Sequence, residues 1–101
     1  MSRRFANFDE FFTFYMSEHS DQRSRRLHLV GTLLFIICWA LAALWADWRW
    51  FLAGPLIGYA FAWVGHFMFE KNRPATFRHP LYSLRGDFVM LWHWLSGRLR
   101  W

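Results

Sequence analysis

One cysteine, three prolines and seven acidic residues are all that 101 positions hold of those types, and each scarcity closes a class of function. A single thiol, Cys38, rules out an internal disulfide and any zinc site built from cysteines, and its place inside an apolar run makes it inert packing. Phosphate-cradling glycine loops are absent, and no serine stands in a nucleophile motif, so phosphoryl transfer and covalent hydrolysis have no support. No signal-cleavage pattern precedes the apolar segments, and the first of them is too long for a signal h-region. With so few acids against twelve Lys and Arg the net charge is +5. No basic groove or nucleic-acid motif accompanies that charge, so its distribution along the chain has to explain it.

What is present is apolar and aromatic. At 55% hydrophobic and 23% aromatic, the chain carries more apolar surface than a water-soluble core of this size can bury. It reads as one membrane-embedded helical domain over residues 1–101, all-α. Leu27 through Ala46 and Trp50 through Phe69 are two runs of about twenty residues, the length a helix needs to cross about 30 Å of hydrocarbon. Asp47-Trp48-Arg49 turns between them, with Pro55 tolerated in the first turn of the second. The pair predicts an antiparallel hairpin. Eleven of the twelve Lys and Arg residues lie outside that turn, where only Arg49 stands. By the positive-inside rule both termini are then cytoplasmic, which for a bacterial protein means the inner membrane. Trp45, Trp48 and Trp50 suit the opposite water–lipid boundary. Gly54, Gly58, Ala62 and Gly65 form a small-residue face that lets another helix approach closely, and pairing with a second copy is one use for it.

The flanks are amphipathic. Ser2 to Ser20 places Phe5, Phe8, Phe12, Tyr15 and Met16 on one helical stripe, and His19 falls on the same stripe. Ser20 to Arg26 reads as a polar, basic linker. From Leu81 a second stripe of Leu84, Phe88, Leu91, Trp92, Leu95 and Leu99 is too short to span, and predicts an interfacial or partly inserted helix with Arg98 and Arg100 at the headgroups.

Folding the hairpin back on itself brings histidines together. His28 lies about twenty residues before the turn and His66 about eighteen after it, so each sits roughly 27–30 Å from the turn, at one depth. His28 heads a face with Gly31, Thr32, Phe35 and Trp39, and His66 shares one with Tyr59, Trp63 and Glu70. His19 just upstream and His79 just downstream complete a set of four metal-ligand candidates, while His93 projects away. Ionisable groups at a lipid boundary are costly unless they pair or bind something. If the second helix continues to Glu70, His66 and Glu70 sit one turn apart on one face, and Pro74 ends the helix beyond them.

Three blocks carry a resemblance: Tyr15-x-x-Glu18-His19, Arg25-x-x-His28-x-x-Gly31-Thr32, and Gly65-His66-Phe67-x-Phe69-Glu70-Lys71-Asn72-Arg73-Pro74-Ala75. From about Phe11 to Asp87 the chain resembles the membrane family that includes the 2-hydroxy fatty acid dioxygenase of the phytosphingosine degradation pathway, in a short, bacterial-type form. Ser24 stands where that family usually has Asn. The resemblance implies an iron(II)-dependent oxygenase, in eukaryotes of the endoplasmic reticulum, that takes O₂ and shortens a 2-hydroxy fatty acid by one carbon. His19, His28 and His66 match its presumed iron ligands.

Imidazole and carboxylate ligands with open positions suit non-haem Fe(II). Glu70 is expected as a ligand or as the group that orients an imidazole N–H, and with Arg73 it completes the expected catalytic pair. Arg25, Lys71 and Arg73 are the candidates for gripping a substrate carboxylate, Arg better than Lys for a two-pronged hold. The acyl chain is expected between the hairpin and the terminal helices, and Asp87 as a loop-fixing partner of Arg85 or Arg73. Two other readings stand beside this one: a non-catalytic membrane protein with a structural zinc layer, and haem ligation by His28 and His66.

Overall fold

The computed structural model describes residues 5–74 and 77–101. Within them the chain is all-helical: α1 (Phe8–Ser17), α2 (Gln22–Trp45), α3 (Trp48–Val64) running directly into a π-helical turn (Gly65–Glu70), and α4 (Pro80–Leu95). Two segments, Gln22–Trp45 and Trp48–Glu70, are long and apolar enough to cross a membrane. They form the expected antiparallel hairpin, with α4 laid against α2 and α1 against α4.

Side-chain caps set the boundaries. Asn7 accepts from the Glu10 N–H and starts α1 there; the predicted start at Ser2 falls outside the described residues, and Phe5 to Asn7 are not helical. Asp21 accepts from the Arg23 N–H and starts α2 at Gln22, so most of the expected linker is helix and His28 sits in its second turn. Polar side chains at a helix start do not oppose helix formation; they satisfy the free N–H groups. The hairpin turn is tighter than expected, Ala46 in the left-handed region at φ 50° and Asp47 capping α3.

Small residues allow the close hairpin. A Cβ at Gly31 would lie 2.8 Å from Phe61 Cβ, and one at Gly54 would lie 2.9 Å from the Trp39 ring. The small-residue face is thus used inside the chain, by α2. Pro55 deprives the Phe51 carbonyl of its usual partner four residues on, and Trp39 Nε1 donates to that carbonyl at 3.0 Å. Trp39 therefore serves the hairpin by its indole N–H while remaining 42% exposed.

The second long helix does not reach Pro74. After Val64 it widens to π winding and stops at Lys71, which takes the left-handed region at φ 56° and donates its N–H to the His66 carbonyl. On α4 the buried face is Ser83, Gly86, Met90 and Leu91, while Trp92 and Leu95 of the predicted stripe are about 60% exposed. The reason is Gly86: its bare Cα admits the Tyr15 ring, to which a Cβ would come within 3.0 Å, and α4 rolls to that contact. Phe8, Phe11, Tyr15, Leu29, Met90 and Leu91 then close a core beneath α1.

Candidate metal centre

Three imidazoles from three elements meet under α1. His19 follows the end of α1, His28 lies in the second turn of α2, and His66 opens the π turn; all three are almost wholly buried. Ring centroids are 4.2 Å apart for His19 and His28, 4.6 Å for His19 and His66, and 4.8 Å for His28 and His66. One nitrogen from each lies within 4.8 Å of the other two.

Hydrogen bonds decide which nitrogens face inward. His19 Nδ1 is 2.5 Å from the Tyr15 carbonyl, which can only accept, so Nδ1 carries the proton. His28 Nδ1 faces Asp87 Oδ1 at 3.3 Å, again an acceptor. His66 Nδ1 is 2.7 Å from Asn72 Oδ1. The Asn72 amide is oriented by its other end, whose nitrogen donates to the Glu18 carbonyl and to Glu18 Oε2 at 3.2 Å each, so the oxygen faces His66 and accepts. With Nδ1 engaged behind each ring, Nε2 is the nitrogen each histidine has left to offer a ligand. His19 Nε2 and His28 Nε2 lie 3.0 Å apart, a repulsive approach for two lone pairs and the spacing of two ligands on one ion with bonds of about 2.1 Å.

The surroundings fix these rings and hold His19 neutral. Burial pushes the His19 pKa well below its ordinary value, and His28 and His66 beside it push it further. Tyr15 stacks on His19 at 4.1 Å and donates its hydroxyl to Asp87. Burial, and then the Asp87 charge, hold that phenol well above its ordinary pKa, so it remains a donor. A carbonyl, a carboxylate and an amide each hold one imidazole by its outer nitrogen, the arrangement that sets tautomer and ring direction in metal sites. The donor set fits a divalent transition metal. It does not fit haem: rings 4.8 Å apart, with His19 against both, leave no width for a macrocycle between His28 and His66.

The other expected residues stand elsewhere. Glu70 is engaged at the start of α2, where its oxygens accept from the Asp21 N–H at 2.6 Å and the Ser20 hydroxyl at 3.3 Å. His79 caps α4 and packs on Phe5 and Phe11, centroids 5.1 and 5.6 Å away. Arg25 donates to the His19 and Ser20 carbonyls at 2.8 and 2.9 Å, closing the end of α1. Lys71 and Arg73 are exposed on the loop after the π turn. Arg85 lies over the Phe8 ring and not on Asp87. Asp87, expected only to fix a loop, and Asn72 and Tyr15 are the residues that sequence reasoning did not place at the site. Tyr15 and Asn72 stood inside the blocks that carried the resemblance, but their contacts with His19, Asp87 and His66 depend on how the elements pack.

Residues 5–99 match the family model described as 2-hydroxy-palmitic acid dioxygenase Mpo1-like. The chain belongs to the Mpo1-like family. Comparison with curated proteins and with solved structures gave no match. All three clustered histidines of this Mpo1-like chain, and the three residues that orient them, lie inside the matched span.

Proposed function

We propose that the protein is a single-domain membrane oxygenase that uses iron(II) and O₂ to shorten a 2-hydroxy fatty acid by one carbon. The observation that carries this reading is the convergence of three buried histidines, each held from behind at Nδ1, in a chain of a family named for a dioxygenase. The overall change is R–CH(OH)–COOH + O₂ → R–COOH + CO₂ + H₂O: the bond between the first and second carbons breaks, and four electrons pass to oxygen. Iron(II) would supply the one-electron chemistry that lets triplet O₂ react with a closed-shell acid.

The chain's own residues bind, orient and exclude water. His19, His28 and His66 would hold the ion and, being three, leave positions for a hydroxyl and a carboxylate. Asp87 keeps the His28 Nδ1 proton in place, and Tyr15 keeps Asp87 directed at it. Arg73 and Lys71, on the loop that follows His66, are the cations we assign to the substrate carboxylate. The buried aromatic lid of α1 keeps bulk water from the centre. Charge distribution supports α1 and the chain ends on the cytoplasmic side, with α4 partly inserted beside α2 and Arg49 the one Lys or Arg at the far tip.

Zinc is the second reading, favoured by one observation: no carboxylate stands among the three converging ligands, and an all-histidine set is a familiar zinc site. Anaerobic purification with metal analysis, followed by O₂ uptake on 2-hydroxy acids, separates the two. Wild type should hold about one iron per chain and consume O₂, and His66→Ala should lose both while still inserting in the membrane. Tightly bound zinc with no uptake would leave the structural role standing.

A further inference from the structure

A cleft leaves the histidine centre between α2, α3 and α4 and runs toward the apolar middle of the hairpin. His28, Thr32 and Phe35 line it from α2; Pro55, Gly58, Tyr59 and Ala62 from α3; Leu84, Asp87 and Phe88 from α4. On each helix these residues recur at three- and four-residue intervals, so three single faces converge on one channel. From His28 to Phe35 the α2 wall runs about 10 Å. Its polar end is His28 and Asp87, and everything beyond Thr32 is apolar except the Tyr59 hydroxyl. Thr32 is itself satisfied, donating to the His28 carbonyl at 2.8 Å. With the helices as they stand the cleft is nearly closed, its internal cavity only about 10 Å³, so a chain enters it by parting side chains. α3 and α4 are not packed on one another in the way that α2 packs on both. Phe35 and Phe88 meet edge to face across the far end, centroids 5.4 Å apart, and pinch it.

We propose that this cleft receives the acyl chain of the substrate laterally from the bilayer, that Gly58 sets its depth, and that the Phe35–Phe88 contact is the constriction the chain must part. The proposal rests on the oxygenase reading for the identity of the acid, not for the existence of the site. A chain entering between α3 and α4 keeps its methylenes in an apolar environment throughout, while its carboxyl end reaches the only polar end the cleft has. Gly58 is the control point because a Cβ there would lie 3.3 Å from the Phe35 ring and 3.6 Å from the Gly31 carbonyl, so a larger side chain presses on the ring that pinches the channel as well as on the hairpin contact. Phe88 acts in the opposite sense, since removing its ring widens the exit.

The test uses purified full-length protein in lipid nanodiscs, with metal content measured for every variant. O₂ uptake is compared on 2-hydroxy acids of eight and sixteen carbons. Gly58→Leu should lower the long-to-short ratio at least tenfold, and Phe88→Ala should raise it. A ratio unmoved in both variants at wild-type metal content overturns the proposal. Independently of turnover, a 2-hydroxy acid carrying a diazirine at its chain end is photolysed on wild type. Labelling at Phe35, Pro55 or Phe88 supports the cleft, and labelling confined to outward-facing residues such as Ile37 or Leu44 overturns it. If wild type consumes no O₂ with any acid, the oxygenase reading fails, and the labelling alone decides the cleft.

Discussion

Asp87 shows how much of the centre rests on residues that would never touch the ion. Its Oδ1 takes both the Tyr15 hydroxyl and the His28 Nδ1 proton, and it borders the cleft as well. Replacing it with Asn keeps the shape but removes the charge and leaves the amide free to present N–H₂ to His28, which favours the wrong tautomer. Asp87→Asn should therefore weaken metal binding 10–100-fold, read by chelator competition on the purified protein. Unchanged affinity would show that His28 needs no orienting partner. Asn72 is tied the same way, but its amide is oriented by Glu18, so the chain from Glu18 through Asn72 to His66 is one hydrogen-bond line running from the end of α1 to the π turn.

At the scale of elements, the π turn carries His66 into the cluster while Glu70, at its other end, is taken up by the start of α2, where it accepts the Asp21 N–H. Glu70→Ala should thus cost about 1 kcal/mol of stability, the order of a helix-start cap, and leave the bound metal in place. Loss of metal in that variant would return Glu70 to the site. The hairpin offers a second test. Trp39 Nε1 answers the carbonyl that Pro55 leaves open, so Trp39→Phe should destabilise by about 1 kcal/mol, the net worth of one hydrogen bond. In a Pro55→Ala background the backbone N–H restored at that position supplies the missing donor, and the same change should cost less. Thermal unfolding of the four proteins in detergent gives the coupling directly, and additive costs would mean the two residues act separately.

For the whole molecule, the histidine cluster and the described Lys and Arg residues other than Arg49 lie at one end of the hairpin and the tip at the other. Single cysteines placed in a Cys38→Ser background measure this. Asp9→Cys on α1 should be shielded from an impermeant maleimide added outside intact bacteria, and Trp48→Cys at the tip should be labelled. The reverse pattern would invert the orientation we propose. The apolar belt on Ile36, Ile37, Leu44, Leu52 and Leu56, all well exposed, is the surface such a placement would give to lipid.

The two apolar runs, their antiparallel pairing and the approach of His28 to His66 were all legible from the sequence, because run length and equal distance from a turn are one-dimensional quantities. His19 was legible as well, since it continued the buried stripe of α1. Where a segment's neighbours decide its conformation, the sequence was silent. Nothing in Gly65 to Glu70 announces π winding, which arises where Gly65 packs on the buried Ser24, its missing Cβ leaving just enough room. The roll of α4 onto Tyr15 through Gly86, which brings Asp87 to His28 and turns Trp92 out, belongs to the packing of two helices about seventy residues apart. Local patterns fixed the two long helices and the common level of His28 and His66, though not the place of His79 or the start of α2. Which nitrogen each ring turns inward was decided by hydrogen-bond partners that only the folded chain brings within reach.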